Sequence, residues 1–357
     1  MSTVILDCDL MKFPNSGLYH YCKNLGDSVI SESIGVDDSS SVMMYVPESA
    51  QHAFNVCKKR TIIEQAWHRL WKPFLLDCRV WHAPFQSGRM LPNRRLFRHI
   101  HTVLTIHDLN VLHEGKPEEE QRKSLQHIQK MINQSDVIVC ISEFTRSDVE
   151  RHCDLRGKKV KVIPNGINPL ANPVASILTY RPTRPFLFGI GYVNRKKNYH
   201  TLIKLLDKLD DIEVIVSGKL DDLGYITEIE EEVERLGLIG RFHLTGPITE
   251  EEKSWYMNNC AAFVHPSLAE GFGLPILEAM SVGKPVFLSD RTSLPEIGGN
   301  AAFYFRDFSA AHMAEVIRCG LEEFRLKDME RVVKIHAGNF SWELAAAEYA
   351  KVYNSLL

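Results

Sequence analysis

The sequence has no long apolar run and no excess of positive charge. Nowhere do about 18 apolar residues follow one another, which excludes a helix that crosses a membrane. Lys and Arg number 42 against 45 Asp and Glu, a formal net charge of −3. The chain therefore lacks the global positive field that holds a long nucleic acid, and we expect no nucleic-acid partner.

The sequence also lacks paired cysteines, a secretory signal and a complete dinucleotide fingerprint. None of the eight cysteines stands at a CxxC spacing, so a zinc site or redox pair of that type is not indicated. The first residues run into a strand pattern without a basic and apolar leader, which favours a reducing cytoplasm. In the glycine-rich segment that begins at Gly189, the third glycine of the fingerprint is replaced by Asn194, which disfavours an oxidoreductase.

Short apolar runs alternate with segments of helical periodicity, the pattern of parallel α/β architecture. The length of 357 residues is typical of two domains, so we predict two Rossmann-like, doubly wound parallel sheets that face a central cleft. The predicted strands are Thr3–Cys8, Val42–Val46, Val80–Ala83, His101–His107, Asp136–Ser142, Lys158–Pro164, Pro185–Tyr192, Glu213–Gly218, Phe242–Thr245, Ala261–Pro266, Pro285–Ser289 and Ala301–Phe305.

A Pro- and Asn-rich stretch at about 167–183 separates the two halves. We therefore predict an N-terminal domain over 1–170 and a C-terminal domain over 171–340. Residues 341–357 have helical periodicity and form a closing helix. The periodicity does not decide which domain this helix packs against.

The segment from His265 to Met280 carries the strongest functional signal. A strand end is followed by Glu270, by Gly271 and Gly273, and by a helix start at Pro275 that carries Glu278. The helix start offers free N–H groups to a phosphate, and the carboxylates can accept hydrogen bonds from sugar hydroxyls. The alternative is a simple turn in which Glu278 complements the helix dipole.

Three weaker clusters follow other strands. Arg195, Lys196 and Lys197 can neutralise a diphosphate, although a solvated charge run has the same appearance. His107 ends a strand, where it can orient a hydroxyl or donate to a developing charge, or be only structural. Gly17 opens a helix after the first strand and allows close approach of a phosphate.

Together these residues resemble the retaining GT-B glycosyltransferases of family 4, and the resemblance spans nearly the whole chain. Glu270 and Glu278 have the spacing of the family's Glu-x7-Glu motif. Further landmarks occur in the family's order: Ser16-Gly17, Ile106–Leu109, Ile163–Gly166 and Arg195–Asn198. One position departs from the family, because Tyr192 stands where many members have Arg.

The resemblance implies that the domain over 1–170 binds the acceptor and the domain over 171–340 binds the nucleotide sugar, and it also implies roles for single residues. Catalysis is assigned to His107, Glu270 and Lys197. The donor site is assigned to Gly17, Arg195, Lys196, Lys197, Glu270, Gly271, Phe272, Gly273, Leu274 and Glu278. Within it, the cations neutralise the pyrophosphate, Glu278 holds the ribose, and Glu270 with the Phe272–Leu274 backbone holds the hexose. No cofactor and no metal are expected, and Asp7-Cys-Asp9 is interpreted as a coincidence rather than a metal-binding motif.

The implied reaction is hexosyl transfer with retention from a nucleotide-diphosphate sugar to a glycan or lipid-linked glycan, in cell-surface polysaccharide synthesis. The wording around His107 and Lys196 is closest to bacterial polysaccharide and O-antigen mannosyltransferases, which favours GDP-mannose as donor. The alternatives are a UDP-hexose-dependent transferase, an epimerase and a non-catalytic nucleotide-sugar-binding subunit.

One segment has two interpretations, one of which is peripheral contact with the inner membrane face. Residues 57–76 mix cations with Trp67, Trp71 and Phe74, as an interfacial helix does, and Arg94, Arg95 and Arg98 add positive charge. The alternative is that Trp67, Leu70, Trp71 and Phe74 face the core of the first domain.

Overall fold

The chain folds into two units. The structure, a computed structural model, describes residues 2–13, 16–33, 40–54, 60–69, 72–87, 91–168, 170–173 and 178–357. The first unit consists of Met1–Asn168 together with Phe340–Leu357, and the second of Pro169–Asn339. Within the described ranges, no helix has both the length and the apolar character needed to cross a bilayer.

The first unit contains a parallel sheet of seven described strands in the order β3-β2-β1-β4-β5-β6-β7. Its strands are β1 (Ser2–Asp7), β2 (Ser40–Val46), β3 (Thr61–Ile63), β4 (Cys78–Ala83), β5 (His101–Ile106), β6 (Val137–Cys140) and β7 (Val160–Val162). Its helices are α1 (Gly17–Ser33), α2 (Glu118–Gln134), α3 (Glu143–His152) and α11 (Trp342–Asn354). β4 and β5 are almost entirely buried, as strands covered on both faces should be.

The second unit repeats this architecture with a parallel sheet of six described strands in the order β10-β9-β8-β11-β12-β13. The strands are β8 (Phe186–Ile190), β9 (Glu213–Ser217), β10 (Phe242–Gly246), β11 (Ala262–His265), β12 (Val286–Ser289) and β13 (Phe303–Phe305). The helices are α4 (Thr201–Leu205), α5 (Leu223–Arg235), α6 (Glu250–Asn259), α7 (Leu274–Ser281), α8 (Leu294–Gly298), α9 (Ala310–Leu326) and α10 (Met329–Gly338). The predicted class of two Rossmann-like parallel sheets is confirmed.

Helix α11 packs within the first unit, against α1. The Ile167 N–H donates to the Phe340 carbonyl over 3.1 Å just before α11 begins. Gly166 lies so close to this junction that a Cβ there would stand 2.2 Å from the Trp342 nitrogen. The chain thus returns to the first unit after the second is complete.

Residues 57–76 do not form one long helix in their described part. They contain the short strand β3 and two 3-10 turns, Ala66–Arg69 and Pro73–Leu75, which leaves no continuous interfacial helix among the described residues. Cys57, Leu70 and Trp71 lie outside the described residues. Phe74 packs on Tyr45 with ring centroids 5.4 Å apart, whereas Trp67 is 49% exposed and does not face the core.

Candidate active site

The site in the second unit is built at the carboxyl end of β11, where the chain turns into α7. Gly273 caps α7 with a φ of +103°, and a Cβ there would stand 2.7 Å from Cδ1 of Ile276, so the position requires glycine. Pro275 occupies the first helical turn, where its missing N–H costs nothing. The start of α7 therefore presents backbone N–H groups and the positive end of the helix dipole.

The cationic turn at 195–197 lies against the same loop. Arg195–Lys197 form a 3-10 turn that ends at Asn198 in the left-handed conformation, with a φ of 59°. The Asn198 amide donates to the Pro266 carbonyl over 3.1 Å, and the Leu268 N–H donates to the Lys196 carbonyl over 2.8 Å. Two segments about 70 residues apart in sequence are thereby joined at one edge of the sheet.

The turn places Lys197 on Glu270. The Lys197 Nζ lies 2.5 Å from Oε1 of Glu270, and both side chains are largely buried. The lysine stem passes Gly191, where a Cβ would stand 3.2 Å from Lys197 Cε. The glycine after β8 therefore leaves room for the lysine to reach the carboxylate.

His265 completes this group. Its Nε2–H donates to Glu270 Oε1 over 2.8 Å, and its Nδ1 is buried without a hydrogen-bond partner among the described residues. Burial lowers the pKa of His265, so the ring is neutral at pH 7. Burial also opposes the charge of Glu270, but Lys197 and then His265 outweigh it and hold the pKa of Glu270 well below its usual value. Glu270 is therefore an oriented, ionised acceptor.

Two hydroxyls that the sequence reasoning missed fix the backbone of Glu270. Its N–H donates to Thr292 Oγ1 over 2.9 Å, and its carbonyl accepts from Ser293 Oγ over 2.9 Å. Ser293 also donates to the Phe272 carbonyl over 3.4 Å. The signal was present, because these residues follow β12, and polar residues beyond the carboxyl ends of parallel strands line ligand sites.

Glu278 lies on α7 and pairs with a further missed residue, Lys253. The Lys253 Nζ stands 3.3 Å from Glu278 Oε1 and 2.7 Å from Glu250 Oε2. Burial alone would lower the pKa of Lys253, but Glu278 and Glu250 outweigh it and raise the pKa. Because Lys253 lies on α6, 25 residues before its partner, helical periodicity alone could not pair them.

Arg195 does not join this group. Its guanidinium is exposed, pairs with Glu228 on α5 and lies 5.5 Å from the centre of the Tyr225 ring. At the family's arginine position, Tyr192 is 41% exposed, and the Lys219 ammonium lies 5.5 Å from its ring centre. The structure thus brings Lys197, His265 and Glu270 together, while Arg195 faces α5.

The first unit holds the other two predicted site residues, Gly17 and His107. Gly17 is the first residue of α1, with Ser16 Oγ accepting from the Tyr19 N–H over 3.2 Å, and a Cβ on Gly17 would meet nothing within 4 Å. That open space suits close approach of a ligand to the helix start.

His107 follows β5 and is buried. Its Nε2–H donates to the Pro84 carbonyl over 2.8 Å, and its backbone N–H donates to Gln86 Oε1 over 3.0 Å. Burial lowers the pKa of His107 to about 4, against the opposing effect of the Pro84 bond. The ring is therefore neutral at pH 7, and its bare Nδ1 is an acceptor, which fits orienting a hydroxyl better than donating to developing charge.

A metal site is not evident in the part of the chain that the structure describes, where no group of three or more His, Cys, Asp and Glu side chains is placed to hold an ion. Asp7 ends β1, and its Oδ1 accepts from the Asp9 N–H over 3.3 Å. Burial, and next the neighbouring Asp9, raise the pKa of Asp7 well above its usual value.

Comparison with known proteins identifies both units. The family model described as Glycosyl transferases group 1 matches residues 176–332, and the model described as Glycosyltransferase Family 4 matches residues 54–169. An Escherichia coli protein named O-antigen chain mannosyltransferase B is 25% identical over 304 residues, covering 78% of this chain and 74% of the relative. A Rhizobium meliloti protein named lipopolysaccharide core biosynthesis mannosyltransferase LpsB is 29% identical, covering 81% of this chain and 83% of the relative.

A solved structure supports the fold over the full length. Anabaena Alr3699/HepE, crystallised in complex with UDP and glucose, superposes with a TM-score of 0.72 at 17% identity and covers 100% of both chains. At that identity the likeness concerns the fold alone. Since the two family models together match well over half of the sequence, the chain belongs to the GT-B glycosyltransferases of family 4, with mannosyltransferases among its relatives.

Proposed function

We propose that the protein transfers a hexose from a nucleotide-diphosphate sugar to a glycan or lipid-linked glycan, with retention of anomeric configuration and without a metal. The observation that carries this proposal is the group of Lys197, Glu270 and His265 beside the start of α7. The Lys197 ammonium and the start of α7 are positively charged, and Glu270 beside them is an ionised hydrogen-bond acceptor.

These groups suit the two ends of such a donor. A diphosphate carries negative charge, which the Lys197 ammonium and the N–H groups at the start of α7 stabilise as the leaving group develops. Glu270 is ionised and has no proton to donate, so it accepts hydrogen bonds from hexose hydroxyls and stabilises positive charge at the anomeric carbon. Lys197 forms an ion pair with Glu270. In the donor complex the Lys197 ammonium therefore interacts with both the Glu270 carboxylate and the donor phosphate.

A front-face route needs no protein nucleophile. In this proposal the leaving phosphate takes the proton of the acceptor hydroxyl, while His107 Nδ1 accepts a hydrogen bond from the transferring sugar. The proposed reaction needs no metal ion, because Lys197 and the start of α7 supply the positive charge that a metal ion would otherwise give.

The names of the relatives support mannose as the hexose, and we propose GDP-mannose as its activated form. Both relatives described above are named mannosyltransferases, of O-antigen chain and of lipopolysaccharide core. We therefore propose a role in cell-surface polysaccharide synthesis. The alternative donor is a UDP-hexose.

The test is a thermal-shift panel with GDP, UDP, ADP and their sugar conjugates. A ligand at 100 times its Kd stabilises the folded protein by about 2.7 kcal/mol, enough to rank the bases. We expect GDP and GDP-mannose to give the largest shifts. Proton NMR of the product with the selected donor then reports the anomer, and an inverted product or a requirement for added Mg²⁺ or Mn²⁺ contradicts the proposal.

Two other functions would retain nucleotide binding. An epimerase would change the sugar nucleotide without acceptor, whereas a transferase only hydrolyses it slowly. A non-catalytic subunit would bind but not turn over the donor. The oriented, ionised Glu270 favours transfer over both.

We further propose peripheral contact of the first unit with an anionic membrane surface at the cytoplasmic face. Trp67, Leu76 and Leu96 are exposed apolar residues, and Arg95 and Arg98 are exposed in the segment that contains Leu96. Apolar side chains beside cations suit the interface of an anionic bilayer.

Sedimentation with vesicles of phosphatidylglycerol and phosphatidylcholine tests this contact. We expect the Arg95→Ala/Arg98→Ala variant to lose most of its vesicle binding while keeping its thermal midpoint. Arg156→Ala, which changes an exposed arginine elsewhere in the unit, is the control. Equal binding by all three proteins would contradict membrane contact.

A further inference from the structure

Five buried side chains of the first unit form one continuous chain of hydrogen bonds, here called the hydroxyl chain. Tyr353 Oη lies 2.7 Å from His82 Nδ1, His82 Nε2 lies 2.8 Å from Thr105 Oγ1, and Thr105 Oγ1 lies 2.8 Å from Tyr349 Oη. Tyr349 Oη lies 2.8 Å from Tyr21 Oη. The members come from α1, β4, β5 and α11, and each is at most 3% exposed.

The neutral ring of His82 orders its own two bonds in the hydroxyl chain. Burial lowers the pKa of His82 to about 3, so its ring is neutral and carries one N–H proton. Each of the five groups then has one proton to donate, and four bonds join them. The ring therefore donates through one nitrogen and accepts through the other, so its two bonds run in the same sense, and each hydroxyl can donate one bond and accept another. Such a cooperative chain holds its members more firmly than separate bonds do.

One end of the hydroxyl chain touches His107. The Tyr21 ring meets the His107 ring edge-on, with centroids 4.6 Å apart and an interplanar angle of 72°. Phe85 packs on His107 with a centroid distance of 5.4 Å. The orientation of the imidazole therefore depends on where the Tyr21 ring lies, and the hydroxyl of that ring is bonded to Tyr349.

We propose that Tyr349 is a positioning residue for His107. Its hydroxyl, bonded to Thr105, holds the Tyr21 ring against the imidazole, so that Nδ1 keeps the direction it needs toward the sugar. A side chain of α11 thereby sets the geometry of a site residue more than 200 positions earlier. This inference rests on the proposed function, which places His107 beside the transferring sugar.

Tyr349→Phe removes the hydroxyl and keeps the ring. We expect the ¹⁵N resonances of the His107 imidazole to shift in the ligand-free protein, and kcat for GDP-mannose consumption to fall about tenfold, with KM for the donor within about twofold. UDP-glucose is run in parallel as the alternative donor. Tyr21→Phe removes the partner hydroxyl and should give the same two changes, which keeps the test decisive if Tyr349→Phe folds poorly.

Tyr45→Phe is the matched control. It removes a buried tyrosine hydroxyl from another hydrogen bond of the same unit, between Tyr45 Oη and His68 Nδ1 at 3.2 Å, and the Tyr45 ring packs on His68, Phe74 and Trp81 rather than on His107. We expect a similar loss of thermal stability with unchanged His107 resonances and kcat. If Tyr349→Phe behaves as this control does, the positioning role is overturned.

His107→Ala separates this inference from the proposed function. If His107→Ala retains full kcat, His107 does not accept a hydrogen bond from the transferring sugar. That result contradicts this part of the proposed function. If His107→Ala loses activity while Tyr349→Phe and Tyr21→Phe leave kcat and the His107 resonances unchanged, only the positioning role of Tyr349 fails.

Discussion

At the scale of single residues, Lys197 and Arg195 stand two positions apart yet have different partners. Lys197 is largely buried against Glu270, whereas Arg195 is exposed against Glu228. A cation in a partly dry site interacts strongly with a bound phosphate, and an exposed, already paired guanidinium interacts weakly. The sequence showed three equivalent cations, and only the fold distinguishes them.

Lys197→Ala should therefore weaken GDP binding by about 10- to 100-fold, the loss expected for one charge-assisted hydrogen bond. Turnover should fall with it. Arg195→Ala, the matched control, should keep the Kd for GDP within about twofold. Isothermal titration calorimetry measures both, and equal losses in the two variants would mean that a general positive field, rather than Lys197, binds the diphosphate.

The buried histidines predict a pH dependence of stability. Burial holds the pKa of His82 at about 3 and that of His107 at about 4, below the ordinary value of 6.5. Between pH 6.5 and about 4 the unfolded chain binds these protons and the folded chain does not, so stability falls as the pH falls. We expect the thermal midpoint to decrease across this window, and His82→Gln to decrease less steeply. Parallel slopes for the two proteins would contradict the assignment.

The residue scale also shows what sequence reasoning can reach. Short sequence motifs contain Glu270, Glu278 and His107, so these residues could be identified from the sequence. The roles of His265, Thr292 and Lys253 were not, since each depends on a partner that the sheet brings close. Hydrogen bonds between residues that are far apart in the chain leave no periodic pattern in the sequence.

At the scale of elements, the start of α7 depends on the backbone of Gly273. Gly273→Ala would add a Cβ in the left-handed region and press it against Ile276 Cδ1. We expect a loss of stability of about 1–3 kcal/mol and weaker GDP binding, because the helix start moves. Gly240→Ala is the control, since a Cβ there meets nothing within 4 Å. Chemical denaturation measures the free energy of unfolding of both variants. A value for Gly273→Ala equal to that of the unaltered protein would contradict the requirement for glycine at this cap.

Elements with strong patterns were predicted and weak ones were not. All twelve predicted strands exist, because buried parallel strands are apolar on both faces. β3 was missed, since it is three residues long and only half buried at the sheet edge.

At the scale of the whole molecule, the first unit is assembled from two separate stretches of chain. α11 buries Trp342, Ala345, Ala346, Tyr349, Val352 and Tyr353 in that unit. Burial of these side chains contributes on the order of 10 kcal/mol, comparable to the net stability of a domain. The stability of the first unit therefore requires α11, a helix that follows the second unit in sequence.

Truncation after Asn339 should unfold the first unit and leave the second folded. Calorimetry of the truncated chain should show one transition where the full chain shows two, and proteolysis should cut within residues 1–168 first. Removal of Leu357 alone is the control and should cost little, because this residue follows α11 and its side chain is 44% exposed. A truncated chain with intact first-unit resistance to protease would contradict the division into units.

This interleaving affects the order of events on the ribosome. The second unit is a single continuous stretch, so it can finish folding soon after it emerges, whereas the first must wait until residues 340–357 have been made. The part synthesised first is thus the part completed last. During that delay the surface later covered by α11 is exposed to chaperones, and the position of Tyr21 beside His107 is settled only after synthesis passes Tyr349.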